Sequence, residues 1–192
     1  MNTPAQAELE RLLEGNQNFK NGICSCHKRS LATLQKFAHK QEPKAIILGC
    51  SDSRFIPNII FDCGLGELFV VRTAGATAGV SSDILESLEF AVVNLKCPLM
   101  MIIGHDNCGA VSAAKEDFLA KKETYCSVVS SIMPVLEEHH ELETDEITKK
   151  HTKNLCKTIV ERSEIIAKAV EQDELAVVAG HLSFSTGQVE IL

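Results

Sequence analysis

Four short apolar runs recur along the chain: Ala45-Ile46-Ile47-Leu48, Leu68-Phe69-Val70-Val71, Leu99-Met100-Met101-Ile102-Ile103 and Leu175-Ala176-Val177-Val178-Ala179. Each is strand-sized and apolar at both parities, so both faces of the strand it forms must be covered. The segments between them are long enough for a crossover helix, which parallel pairing requires. The pattern therefore predicts an α/β fold with a mainly parallel central sheet flanked by helices. Gln188 to Ile191, after the Thr186-Gly187 turn, reads as a short antiparallel edge strand. Helical spacing is found over Ala5–Phe19, Leu31–Ala38 and Ser82–Leu95, and again after Cys108. Leu155, Ile159, Ile166 and Val170 mark one long later helix. A single domain over 1–192 is expected, with 1–22 as an N-terminal helical arm. That arm has no obvious core of its own, so it is expected to extend to a partner subunit.

With 192 residues, 19 Lys plus Arg and 26 Asp plus Glu, the chain carries a formal charge of −7. An acidic balance supplies no broad basic footprint for nucleic acid. The apolar runs fall far below the roughly 20 residues that span a bilayer. Glu8, Glu10 and Arg11 interrupt the N-terminus, which fits neither a secretory nor a transit segment, and the protein reads as cytoplasmic. Eight cysteines form no dense framework and no CxxC pair, so most are expected to be reduced. Cys97 and Cys156 read as small buried hydrophobes. The acidic run from Glu137 to Glu146 reads as a solvated loop or helix end rather than a cation site.

The chemistry gathers where strands end. Cys50 closes one apolar run and is followed by Ser51-Asp52-Ser53-Arg54; His105 closes another, with Cys108 three residues on. Ligand sites of open parallel sheets form beyond the carboxyl ends of the strands. Cys108 precedes a helical pattern, where the local positive potential favours a thiolate. Two cysteines and a histidine make a soft donor set suited to tetrahedral zinc, and three ligands leave one position for water, the mark of a catalytic site. In an extended loop Cys50, Asp52 and Arg54 lie to one side. Asp52 can then bind the metal and close it, or pair with Arg54 and accept a hydrogen bond from the metal's water.

These residues resemble the paired signatures of the β-class carbonic anhydrases: Cys50-Ser51-Asp52-Ser53-Arg54 and Gly104-His105-x-x-Cys108-Gly109-Ala110. The likeness extends to Leu12-Leu13-Glu14-Gly15-Asn16, to Gly66-Glu67-Leu68-Phe69-Val70-Val71-Arg72 and to Ser87-Leu88-Glu89-Phe90-Ala91-Val92. It implies a zinc lyase that interconverts carbon dioxide and bicarbonate through hydroxide on the metal, working as a homodimer or an assembly of dimers. Carried over by position, Cys50, His105 and Cys108 hold one Zn2+ per chain, and Asp52 with Arg54 form a gating dyad. Gln41 and the backbone N–H of Gly109 become substrate donors, and Phe69, Ala74 and Phe90 become apolar lining. On side-chain chemistry alone Phe69 and Phe90 read as plain core. Phe90 stands where tyrosine is common in the family, and Thr73 where asparagine is. One subgroup closes its zinc with the aspartate, aided by a bicarbonate pocket built partly from a tryptophan. Here Ile47 takes that place and Gln41 is present, which points to the plant-like, open-site subgroup, although Arg72 resembles an arginine of that pocket. Competing readings are a related zinc hydrolase of a carbon dioxide analogue such as carbon disulfide, a non-catalytic zinc-binding regulatory protein, and a redox protein built on Cys24-Ser25-Cys26-His27.

Overall fold

The structure, a computed structural model, describes residues 3–77, 82–122 and 126–192; the side chains of Cys26 and His27 lie outside that description. Strands β1 (Ala45–Cys50), β2 (Leu68–Thr73), β3 (Leu99–His105), β4 (Ala176–Leu182) and β5 (Val189–Ile191) form one sheet in the order β2-β1-β3-β4-β5. The first four are parallel and β5 is antiparallel to β4. The helices are α1 (Thr3–Lys20), α2 (Leu31–Lys36), α3 (Pro57–Ile60), α4 (Ser82–Leu95), α5 (Gly109–Leu119), α6 (Ser127–His139), α7 (Thr144–Arg162) and α8 (Glu164–Glu171).

Alternation along the strands divides the core between the two faces of the sheet. Ile46, Leu48, Met100 and Ile102 pack with Leu88 of α4, Leu155 and Ile159 of α7 and Ile166 of α8. Ala45, Ile47, Leu99, Met101 and Ile103 pack with Leu9 and Leu12 of α1 and with Phe55, Ile60 and Phe61. β1 and β3 are buried at every position, as their unbroken apolar sequences require.

The expectation that α1 lacks a core of its own is corrected here. Leu12 is fully buried in its own chain's core, and a Cβ on Gly15 would stand 1.9 Å from the Phe61 carbonyl oxygen, so the helix sits directly on α3. Asn16 locks the contact: its amide donates to the carbonyls of Ile60 and Gly187, and its Oδ1 accepts from the Val189 N–H. The apolar stripe of α1 is thus satisfied within the chain. Leu12→Ala should cost about 2–5 kcal/mol of stability by leaving a cavity, measurable as a shift in the urea midpoint.

The single late helix is also corrected. Ser163 is extended (φ −124°, ψ 107°) and separates α7 from α8; its hydroxyl accepts from the Ile166 N–H and donates to Glu89. Capping outweighs the helical spacing that runs through it. Cys97 is buried as expected, and Cys156 is half-buried against the same core. Burial pushes both thiols up, to about 11 and about 12 respectively. Helix α6 has no counterpart in the sequence reading: Pro134 lies inside it and has no N–H for the Ser130 carbonyl, but Ser130 is exposed and water can serve it. None of the described helices is long and apolar enough to cross a membrane.

Candidate metal centre

Cys50 is the last residue of β1, His105 the last of β3, and Cys108 the N-cap of α5. The two strands are neighbours in the sheet, so their carboxyl ends meet, and the short turn after His105 brings Cys108 back beside them. The ligand atoms of these three buried residues lie within 4.8 Å of one another, and no other such cluster of His, Cys, Asp and Glu occurs among the described residues. Neither the acidic run from Glu137 to Glu146 nor Cys24 contributes to the cluster; Cys26 and His27 of the redox reading lie beyond the described side chains.

His105 Nδ1 lies 2.9 Å from the Asp106 carbonyl oxygen, which can only accept, so this nitrogen carries the proton. Nε2 is buried and has no hydrogen-bond partner. An orphaned imidazole nitrogen beside two thiols is what a metal ligand looks like before its metal is counted, and the donor set suits zinc. Asp106 is held in turn by His181 Nε2 at 2.8 Å and by the Phe184 N–H at 2.9 Å. The ring of Phe184 lies 4.9 Å from that of His105, which closes the imidazole's other side.

The two thiols share their environment unequally. Cys50 is held well below the usual thiol range, first by the pairing with Cys108 and then, against its burial, by the backbone N–H groups of Asp52 and Gly75. Both N–H groups lie 3.4 Å from its sulfur. Cys108 is pushed up by that same pairing and by burial. The pairing favours loss of a proton from Cys50, the form in which a cysteine binds a metal cation.

Asp52 does not join the cluster. Its Oδ1 accepts from the Arg54 backbone N–H and from Nε, both at 2.9 Å, and Oδ2 accepts from Nη2 at 2.7 Å. This two-pronged grip holds the carboxyl well below the usual carboxylate range, chiefly through the guanidinium hydrogen bonds. The guanidinium rests 4.2 Å over the Phe184 ring. Arg72 of β2 donates to the carbonyls of Cys50 (3.0 Å) and Asp52 (2.6 Å), so it clamps the loop backbone. Arg72, which resembles an arginine of an anion pocket, gives these bonds to main chain.

Ala74 and Gly109 lie beside this cluster. Ala74 opens the turn whose next residue, Gly75, donates to Cys50, and Gly109 follows Cys108 as the first residue of α5. Gln41, Phe69 and Phe90 are placed elsewhere. Gln41 is exposed before the amino end of β1, and roughly 16 Å of strand separates Ala45 from Cys50. Phe69 pairs in register with Ile46, near that same end, with its ring 6.4 Å from Phe90. Phe69 is partly buried and Phe90 is 48% exposed, so Phe90 is not plain core.

A parallel sheet with a two-cysteine, one-histidine centre at its carboxyl edge, and a carboxylate held beside it, is the frame of a thiolate-ligated metalloenzyme. The carbonic anhydrase family model matches residues 45–189, and the chain belongs to that family, in its β-class. It is similar to Carbonic anhydrase 2 of Mycobacterium tuberculosis, 37% identical with 92% of this chain and 87% of that protein covered. Carbonic anhydrase of Mycolicibacterium smegmatis is 31% identical, with 99% and 94% covered. Among solved structures, a tetrameric β-carbonic anhydrase of Sordaria macrospora shares the fold at a TM-score of 0.75, with 20% identity and 97% of each chain covered.

Proposed function

We infer that this chain catalyses the zinc-dependent, reversible hydration of carbon dioxide to bicarbonate and a proton. The observation that carries this is the buried Cys50–His105–Cys108 cluster with a carboxylate held beside it but outside it. Those three residues would hold one zinc ion, which when bound supplies a Lewis acid that makes water nucleophilic near neutral pH. Arg54 keeps Asp52 ionised and turned away, so the carboxylate would leave a metal bound by these three residues accessible to water. Asp52 then accepts a hydrogen bond from the attacking water and fixes its direction. In this reading the Gly109 N–H, at the first position of α5, donates to a substrate oxygen and Ala74 offers a small apolar wall. Ile47 is sealed in the core, where it offers no donor to an anion pocket; the site is therefore read as open at rest. Stopped-flow assays of the purified protein with carbon dioxide and with carbon disulfide, before and after chelation, test this. Hydration of carbon dioxide that chelation abolishes is expected; turnover of carbon disulfide alone, or of neither, would overturn it.

Gln41, Phe69 and Phe90 act as substrate residues only if another copy brings them to the zinc. Support comes from the edge they occupy. β2 is the outer strand of the sheet, and Val70, Phe90 and Val93 are exposed along β2 and α4. A homodimer that pairs this edge would cover them, since patches of this kind mark interfaces. Gln41→Ala should lower kcat/KM by about tenfold, the worth of one hydrogen bond. Mixed dimers of Gln41→Ala with Cys108→Ala should regain activity at one site. Failure of the mixture to exceed either parent would place Gln41 outside the reaction.

The cytoplasmic reading belongs to the same proposal and is supported by the free state of every cysteine described. Cys24 and Cys126 are exposed, far in sequence from both signatures, and take no part in the proposed chemistry. Serine at either position should leave hydration rates within about twofold, a barrier change under about 0.5 kcal/mol; a tenfold loss in the same assay would contradict that.

A further inference from the structure

Helix α7 carries a buried histidine, beside the turn that contacts Cys50, that the account so far does not use. His151 is 1% exposed, its Nε2 is 3.1 Å from the Gly75 carbonyl oxygen, and its Nδ1 has no hydrogen-bond partner. The carbonyl can only accept, so the ring proton sits on Nε2 and is given to Gly75. Burial pushes the imidazole down to about 4, which leaves it neutral with that single proton near pH 7. An apolar residue would fill this place without stranding a nitrogen. The position therefore bears a cost for the sake of its donor.

Gly75 is the middle of the Ala74–Ala76 turn and has φ +66°, followed by Ala76 at +56°. A Cβ on it would stand 3.1 Å from that of Ala110, so the turn is both left-handed and tightly seated. Its N–H lies 3.4 Å from Cys50 Sγ. One residue thus gives its N–H to the thiolate and its carbonyl to His151. The neighbouring threonines tie other atoms: Thr73 Oγ1 donates to the Thr77 carbonyl, and Thr77 Oγ1 to that of Ala74. Among the described residues, His151 supplies the side-chain donor to the Gly75 carbonyl.

We propose that His151 is a positioning residue for the metal centre: by holding the Gly75 carbonyl it fixes the turn that aims the Gly75 N–H at the Cys50 thiolate. A hydrogen bond to a ligating sulfur withdraws electron density from it, so the contact sets how strongly Cys50 donates to the metal. The proposal rests on the reading of Cys50 as a metal ligand. A glutamine side chain carries an N–H donor at the distance of Nε2 and can replace the function; a phenylalanine keeps the ring and removes the donor.

The test uses the cobalt(II)-loaded protein, in which a ligating thiolate gives a sulfur-to-metal charge-transfer band. His151→Phe should move that band to longer wavelength and, by loosening the turn that holds Cys50 in place, weaken zinc binding about tenfold, while His151→Gln should restore both. An unmoved band and unchanged zinc affinity in a folded His151→Phe protein would overturn the proposal. No charge-transfer band in the wild-type protein would instead overturn the metal site itself. A second measurement needs no variant: 15N NMR of the zinc-loaded wild type should find the His151 proton on Nε2 at neutral pH. A proton on Nδ1 would overturn the proposal, because Nε2 could not then donate to Gly75.

Discussion

Arg54→Ala should retain one zinc per chain and lose carbon dioxide hydration by about 10³-fold. Among the described residues the guanidinium alone donates a side-chain hydrogen bond to Asp52, at 2.9 and 2.7 Å, and it rests on Phe184. Without it, the carboxylate would be a free hard ligand on the same loop as Cys50, able to turn toward a bound metal. Binding there would close the site without disturbing Cys50, His105 or Cys108. Arg54→Lys should recover only part of the rate, since an ammonium cannot grip both carboxylate oxygens in a fixed fork. Metal analysis beside stopped-flow rates reads both halves of the expectation. Full zinc with activity within tenfold of wild type would contradict the gating role.

Cys108→Ala should bind almost no zinc and fall to the uncatalysed rate. It removes one of three ligands from a cluster that has no fourth cysteine or histidine to replace it among the described residues. Cys50 also loses the thiol whose hydrogen bond contributes most to its low pKa, and the cation loses one of its two soft donors. Retention of full stoichiometry by metal analysis would contradict the ligand assignment.

The residues that carry these expectations were legible because strand ends are legible. Cys50 and His105 each close an apolar run, and a parallel sheet brings its carboxyl ends to one edge, so two ligands could be placed from the pattern alone. Cys108 followed from the helical pattern after it. The support around them was not legible, because it depends on contacts between distant segments. His181 on β4 and the Phe184 N–H reach Asp106, and Arg72 on β2 clamps the carbonyls of Cys50 and Asp52. Spacing along the chain carries no trace of such pairings.

Two expectations that the fold corrects have different causes, one local and one long-range. The break at Ser163 was hidden by the helical spacing of Leu155, Ile159, Ile166 and Val170, although Ser163-Glu164 is itself a helix-start signal. The core of α1 was missed because Phe61 and Gly187, which receive it, lie far away in sequence. Gln41, Phe69 and Phe90 mark a different limit. Their proposed work involves a second copy of the chain, and one chain's fold leaves them near the other end of the sheet.

The most direct measurement is a crystal structure of the zinc-loaded protein near pH 7. Zinc should lie on Cys50 Sγ, His105 Nε2 and Cys108 Sγ, with Asp52 still gripped by Arg54 and off the metal. Zinc bound elsewhere, or Asp52 coordinated to it in every subunit, would contradict the account.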